Sequence, residues 1–200
     1  MVSFYTMNLS EIKPPLRFAN GTESIWTKLA AIPRTGWVQW GIPHPETVAE
    51  HILATRELAV EWQAELGLGG VELAEVLAII EVHDWPEVIV GDLVIMGDEK
   101  NAIELRRDKH QRERSAMIEI CSKLPERDLV LSYYERYETG FDEMAALAKQ
   151  LDKLQAVLLA DQYQKQFDKP GLLEEFIHYT EPYLHHPFLL KRLLELKENV

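Results

Sequence analysis

Apolar positions along this chain recur at spacings of three and four residues, and they predict helices almost throughout. Ile25, Trp26, Leu29 and Ile32 give a short helix its apolar face before Pro33 ends it, with Thr22 or Ser24 available as the cap. Val48, Ile52, Thr55, Ala59, Trp62 and Leu66 line a helix that opens at Pro45 and runs to about Leu66. A break at residues 67–70 follows. The next helix, from about Val71, carries Leu73, Val76, Leu77, Ile79, Ile80 and Val82, is apolar over more than half its circumference, and is expected to be central.

Residues 99–124 hold both charge signs and fit a long, half-exposed helix that turns apolar only at Met117, Ile118, Ile120, Cys121 and Leu124. Pro125 opens a helix with Leu129, Leu131, Tyr133, Tyr134 and Tyr137. From Asp142 to Phe167, Leu147, Leu151, Leu154 and Leu158 form a stripe beside a row of Ala145, Ala148, Asp152 and Ala156. A short helix from Gly171 to about Tyr179 and a closing segment from Pro182 complete the pattern. The expectation is an all-α fold, a helical bundle without internal repeats. Residues 1–21 read as an irregular arm, Arg34 to Pro43 as an ordered loop holding Trp37 and Trp40, and only Val88 to Ile95 shows any strand-like alternation.

Chemistry concentrates where the most apolar helix ends. His83 and Asp84 are adjacent there, Pro86 must kink or stop the helix, and Glu87 and Asp92 follow. At helical spacing His83, Asp84 and Glu87 can face one cavity, although Glu87 could also serve a helix-end salt bridge. His51 borders its own apolar stripe and points partly inward. Asp152 sits among alanines that permit close helix approach, so it too should be inward and in need of a counter-charge. Lys153 points about 100° away on the helix, which favours a metal or a distant arginine as that counter-charge. Two imidazoles and two carboxylates suit one divalent ion and imply hydrolysis.

Composition narrows the options. Two hundred residues, 46% of them hydrophobic, suit one globular domain. A net charge of −12 argues against a nucleic-acid polymer as partner. Cys121 stands alone, so neither a disulfide nor a thiolate metal cluster can form within the chain. No apolar run approaches the ~20 residues of a membrane span, and Met1 to Ile12 lacks the features of a signal peptide, so no membrane association and a cytoplasmic location are expected.

The order of His51, His83-Asp84 and Asp152 resembles that of the HD-domain metal-dependent phosphohydrolases, and most closely their 5'-deoxynucleotidase branch. The resemblance covers about residues 28–167 and rests on five blocks: Arg34-Thr35-Gly36-Trp37, Pro45 through His51, His83-Asp84-x-x-Glu87 through Gly91-Asp92, Lys109-x-x-x-Glu113-x-x-Ala116, and Leu151-Asp152-Lys153-Leu154. It implies a single HD-type helical domain over residues 1–200, with a core at about 22–168 and a helical extension at 169–200, that works as a homodimer on a small nucleotide. It further implies that His51, His83, Asp84 and Asp152 hold one divalent ion (Mn, Co, Mg, Ni, Fe or Zn). Glu87 would orient or deprotonate the attacking water, and Asp92 would contact the sugar or support the site. Arg34 would bind the phosphate, and Trp37 would bound the sugar pocket, a place Trp40 could also fill. The alternatives are another HD-domain reaction, on a nucleoside triphosphate or cyclic nucleotide, and a non-catalytic helical regulatory protein. His110 is the only histidine between His83 and Asp152, which argues against a two-iron oxygenase.

Overall fold

Thr47 and Glu50 start the helix that carries His51. The Thr47 N–H donates to the Glu50 carboxylate at 2.7 Å, and the Glu50 N–H donates back to the Thr47 hydroxyl at 3.3 Å. This reciprocal capping box places the first helical residue at Val48, three residues later than Pro45 alone suggests. Its Thr-x-x-Glu signature was present in the sequence and outweighs the proline.

The computed structural model describes residues 12–13, 15–95 and 101–198. Most of the expected arm, residues 1–11 and Pro14, lies outside the described residues, as do 99–100 of the charged stretch and the last two positions of the closing segment. Among the described residues ten α-helices follow in order: α1 (Glu23–Leu29), α2 (Thr35–Gln39), α3 (Val48–Glu61), α4 (Gly70–Val82), α5 (Glu87–Val90), α6 (Ala102–Cys121), α7 (Arg127–Thr139), α8 (Glu143–Phe167), α9 (Leu172–Thr180) and α10 (Pro187–Lys197). Among the described residues there is no strand, only an isolated bridge between Pro33 and Thr47. The all-α expectation holds. Contact density divides the chain into two compact units, each built from two separated stretches.

The first unit comprises the chain up to Glu50 together with Val82–Glu135. Its core includes Ile25, Trp26, Leu29, Trp37, Trp85, Met117, Ile120 and Tyr134. The arm's described end is irregular, as expected, yet it belongs to this core: Ile12, Leu16 and Phe18 are buried, and the Phe18 ring meets Trp85 edge-on at 6.3 Å. The stretch expected as a loop at 34–43 contains α2, held by backbone bonds from Arg34 N–H to the Glu46 carbonyl and from Val48 N–H to the Ile32 carbonyl, both 2.9 Å. Val88 to Ile95 holds no strand. It begins as α5 and leaves it at Gly91, whose φ of +76° suits a residue without Cβ.

The second unit comprises His51–Glu81 and Arg136–Val200. The stripe Ile52, Thr55, Ala59, Trp62 and Leu66 is buried as its spacing predicts, although regular helix stops at Glu61 and residues 62–67 continue as turns. Leu147, Leu151, Leu154, Val157, Leu172, Leu173, Leu189 and Leu193 bury the facing surfaces of α8, α9 and α10. Trp62 packs edge-on against Phe188 at 5.4 Å, with the Arg192 guanidinium 5.7 Å from its ring centre. Inside this unit lies an ion pair that hydrophobic patterning conceals. Arg56 and Glu81, 1% and 0% exposed, meet at 3.0 Å, and the same guanidinium donates to the Leu77 carbonyl at 2.7 Å.

Candidate functional site

Pro86 shapes the turn that carries His83 and Asp84. It has no N–H to continue the helical ladder, so α4 stops at Val82 and bonds of i to i+3 type, such as Glu87 N–H to the Asp84 carbonyl at 3.1 Å, lead into α5. Trp85, fully buried, anchors the turn from below. His83 and Asp84 are thereby presented by a tight turn rather than by a helix wall.

In the first unit Asp84 is the focus. Its Oδ2 lies 3.0 Å from Arg34 Nη1 and 3.1 Å from His83 Nε2. Three of the residues singled out in the sequence, from chain segments fifty positions apart, therefore meet at one carboxylate oxygen. Arg34 is placed by Asp92. The Thr35 N–H donates to Asp92 Oδ2 at 2.5 Å, and the Thr35 hydroxyl donates to the Asp92 carbonyl at 2.6 Å. Lys109 holds the same loop from the other side by donating to the Leu93 carbonyl at 2.6 Å, with Glu113 3.5 Å away.

Glu87 is 3% exposed, and its Oε2 is buried without a hydrogen-bond partner among the described residues. Among the described residues it makes no helix-end salt bridge. Burial raises its carboxyl well above the ordinary glutamate range, and the negative charges of Asp84 and Asp92 raise it further, against the opposing pull of Arg34 and Lys109. A carboxyl raised in this way holds its proton more tightly than an ordinary glutamate, which suits it to proton transfer. Trp37 is 2% exposed, and its indole N–H donates to Glu46 at 3.3 Å, while Trp40 is half-buried. Trp37 is thus fixed as a packing anchor of α2, whatever further role it has.

The second unit brings His51 and Asp152 together. His51 Nε2 faces Asp152 Oδ1 at 2.9 Å, and His51 Nδ1 lies 2.7 Å from the Gln155 side-chain carbonyl oxygen. On the other side of the carboxylate, Asp152 Oδ2 accepts from the Tyr137 hydroxyl and lies 2.9 Å from Lys153 Nζ. The sequence expectation that Lys153 points away is corrected here. Its four-carbon stem reaches back around the helix, so the counter-charge includes the next residue in the chain.

The donor set fits a divalent cation. A carbonyl oxygen can only accept, so Gln155 requires the proton of His51 on Nδ1. In the neutral imidazole Nε2 then directs a lone pair at a carboxylate oxygen, an arrangement that a shared cation relieves. Histidine nitrogens and carboxylate oxygens are also the ligands that hard and borderline divalent metals take. Cys121 offers no competing nucleophile: burial first, and Asp128 second, push its thiol up to about 11. A groove of about 550 Å³ along α5 and α6, lined by Ile89, Arg112 and Ser115 among others, includes none of the candidate residues.

Sequence reasoning passed over Tyr137 and Gln155. Gln155 lies three positions after Asp152 and so shares its helix face, a signal available in the sequence. Tyr137 was legible only as an apolar-face residue, since nothing local shows which buried acceptor its hydroxyl reaches.

A model of the HD domain family matches residues 26–188. The chain is 35% identical over 174 residues to 5'-deoxynucleotidase HDDC2 of Danio rerio, spanning 86% of this chain and 82% of that protein. It is 31% identical over 172 residues to the protein of the same name in Homo sapiens, spanning 85% and 80%. A conserved hypothetical protein of Pyrococcus furiosus has a similar solved structure, with a TM-score of 0.65, 26% identity and coverage of 88% of this chain and 97% of that one.

Proposed function

The chain belongs to the HD domain family, and from that premise we propose that it is a metal-dependent phosphohydrolase that removes the 5'-phosphate from deoxyribonucleoside monophosphates. The observation that carries this reading is the buried His51–Asp152 pair, whose Nε2 and Oδ1 lie 2.9 Å apart, on a chain with 5'-deoxynucleotidase relatives. His51, His83, Asp84 and Asp152 would hold one divalent ion, and the residue types, burial and pairings of each support that assignment. Such an ion supplies Lewis-acid polarisation of a phosphoryl group and a more acidic water.

The remaining work falls to side chains of this protein. Arg34 carries a guanidinium that matches two phosphate oxygens and offsets the dianion in an otherwise acidic chain. Water adds to phosphorus, the P–O5' bond breaks, and the 5'-oxygen leaves as the deoxynucleoside hydroxyl with the proton that Glu87 has taken from the water. Glu87, with its raised carboxyl, takes the proton from the attacking water. Asp92 holds the backbone of Thr35 and through it the position of Arg34. Trp37 sets the wall of the sugar pocket through α2.

The family match, over residues 26–188, runs through both stretches of both units, which supports reading them as one HD-type domain. No helix among the described residues is long and apolar enough to cross a membrane. A cytoplasmic homodimer acting on a free nucleotide completes the reading, and light scattering at micromolar concentration tests its oligomeric part.

The functional test is phosphate release from a panel of 2'-deoxyribonucleoside and ribonucleoside 5'-monophosphates with Mn²⁺, Co²⁺ or Mg²⁺. Release is expected from the deoxy series. Absence of release from every member by folded protein contradicts the reading.

A further inference from the structure

The geometry points to Gln155 and Tyr137 as positioning residues of the metal centre, fixing which atom of His51 and which oxygen of Asp152 are presented to the ion. This inference rests on the proposed metal reading and adds to it two residues outside the ligand set.

Three observations in the second unit converge. Gln155 is 5% exposed and its carbonyl oxygen lies 2.7 Å from His51 Nδ1, which places a proton on Nδ1 and, in the neutral imidazole, leaves the lone pair on Nε2. The hydroxyl of Tyr137, 7% exposed, donates to Asp152 Oδ2, so that Oδ1 is the oxygen turned toward Nε2. Lys149 holds the Tyr137 ring in place, with its ammonium 5.0 Å from the ring centre and donating to the Glu138 carbonyl at 3.1 Å. A histidine free to flip or change tautomer, or a carboxylate free to rotate, loses binding entropy and basicity as a ligand. Outer partners of this kind are worth about 10- to 100-fold in metal affinity.

The experiment measures Mn²⁺ binding to chelator-stripped full-length protein by electron paramagnetic resonance of the free ion, alongside the melting temperature without metal. Gln155→Leu and Tyr137→Phe are expected to weaken Mn²⁺ binding by about 10- to 100-fold, with metal-free melting close to that of the wild type. Gln155→Glu keeps an acceptor for Nδ1–H and is expected to bind at least as tightly as the wild type. A purely structural role would lower the melting temperature and leave affinity unchanged in the folded fraction, and that result overturns the inference while the metal reading stands. Loss of affinity in Gln155→Glu equal to that in Gln155→Leu also overturns it for Gln155. Wild-type protein that takes up no Mn²⁺ overturns the metal reading and this inference together. Should Gln155→Leu fail to fold, Tyr137→Phe and Gln155→Glu decide the matter.

Discussion

Thr35 and Asp92 are joined twice, by the Thr35 N–H on the Asp92 carboxylate at 2.5 Å and by the Thr35 hydroxyl on the Asp92 carbonyl at 2.6 Å. Residues 57 positions apart are thereby clamped, and Arg34, next to Thr35, is delivered to Asp84. Asp92→Ala is expected to lower kcat/KM for the nucleotide by about 10- to 100-fold, because a displaced guanidinium misplaces the phosphate. Thr35→Val, which keeps the N–H bond, should lose less. Steady-state kinetics of the two variants check this order, and equal losses would argue against it.

Glu87 sets function against stability. Its carboxyl is raised, so ionising it costs the folded state free energy at neutral pH. Glu87→Gln is expected to raise the melting temperature of metal-free protein or leave it unchanged, while kcat falls by about 10²- to 10⁴-fold. In the wild type, the rate should fall on the acid side once Glu87 takes up its proton, at a pH above the ordinary glutamate range. Calorimetry and a pH–rate profile read the two effects separately.

Arg56 and Glu81 form a buried ion pair. Removing one partner leaves a buried charge uncompensated, so Arg56→Met is expected to cost about 3–5 kcal/mol in denaturant unfolding. The double variant Arg56→Met with Glu81→Met should recover most of that loss. Failure to recover would mean that the Leu77 carbonyl, left without its guanidinium donor, carries the cost.

Asp142 caps α8 by accepting from the Ala145 N–H at 2.9 Å, and it takes two bonds from Arg136. Arg136, above all, holds its carboxyl below the ordinary aspartate range. A depressed value means that the unfolded chain takes up the proton first. The stabilisation is therefore complete above the ordinary value, about pH 4, and is lost as pH falls through the lower folded one. Asp142→Ala should cost about 1–2 kcal/mol at pH 7, with the gap to wild type closing in acid. A gap that is constant down to pH 2 would contradict the assignment.

Helix order and core faces were legible because they rest on periodicity. Val48, Ile52 and Ala59, or Leu147, Leu151 and Leu154, need only the 3.6-residue repeat to be placed inside. The inward positions of His51, His83 and Asp152 were legible for the same reason. What escaped depends on side-chain reach and on partners far away in sequence. Lys153 bends back to Asp152 because its stem is flexible, and Tyr137 finds the same carboxylate across fifteen residues. Nothing in the hydrophobic pattern marks Arg56 and Glu81 as buried, because each is acceptable inside only with polar partners that are distant in sequence. The five residues of α2 are too few to show a helical period in the sequence, and backbone bonds to residues 46 and 48 hold the strap that carries it.

His51, His83, Asp84 and Asp152 are proposed to bind a cation required for hydrolysis. Its most direct test is phosphate release from a deoxyribonucleoside 5'-monophosphate by chelator-stripped protein, before and after Mn²⁺ or Co²⁺ is restored, for the wild type and Asp152→Asn. Stripped wild type should be inactive and recover on addition of metal, while folded Asp152→Asn should stay inactive at the same metal concentration. Full activity in the stripped protein, or equal recovery in Asp152→Asn, would contradict the account.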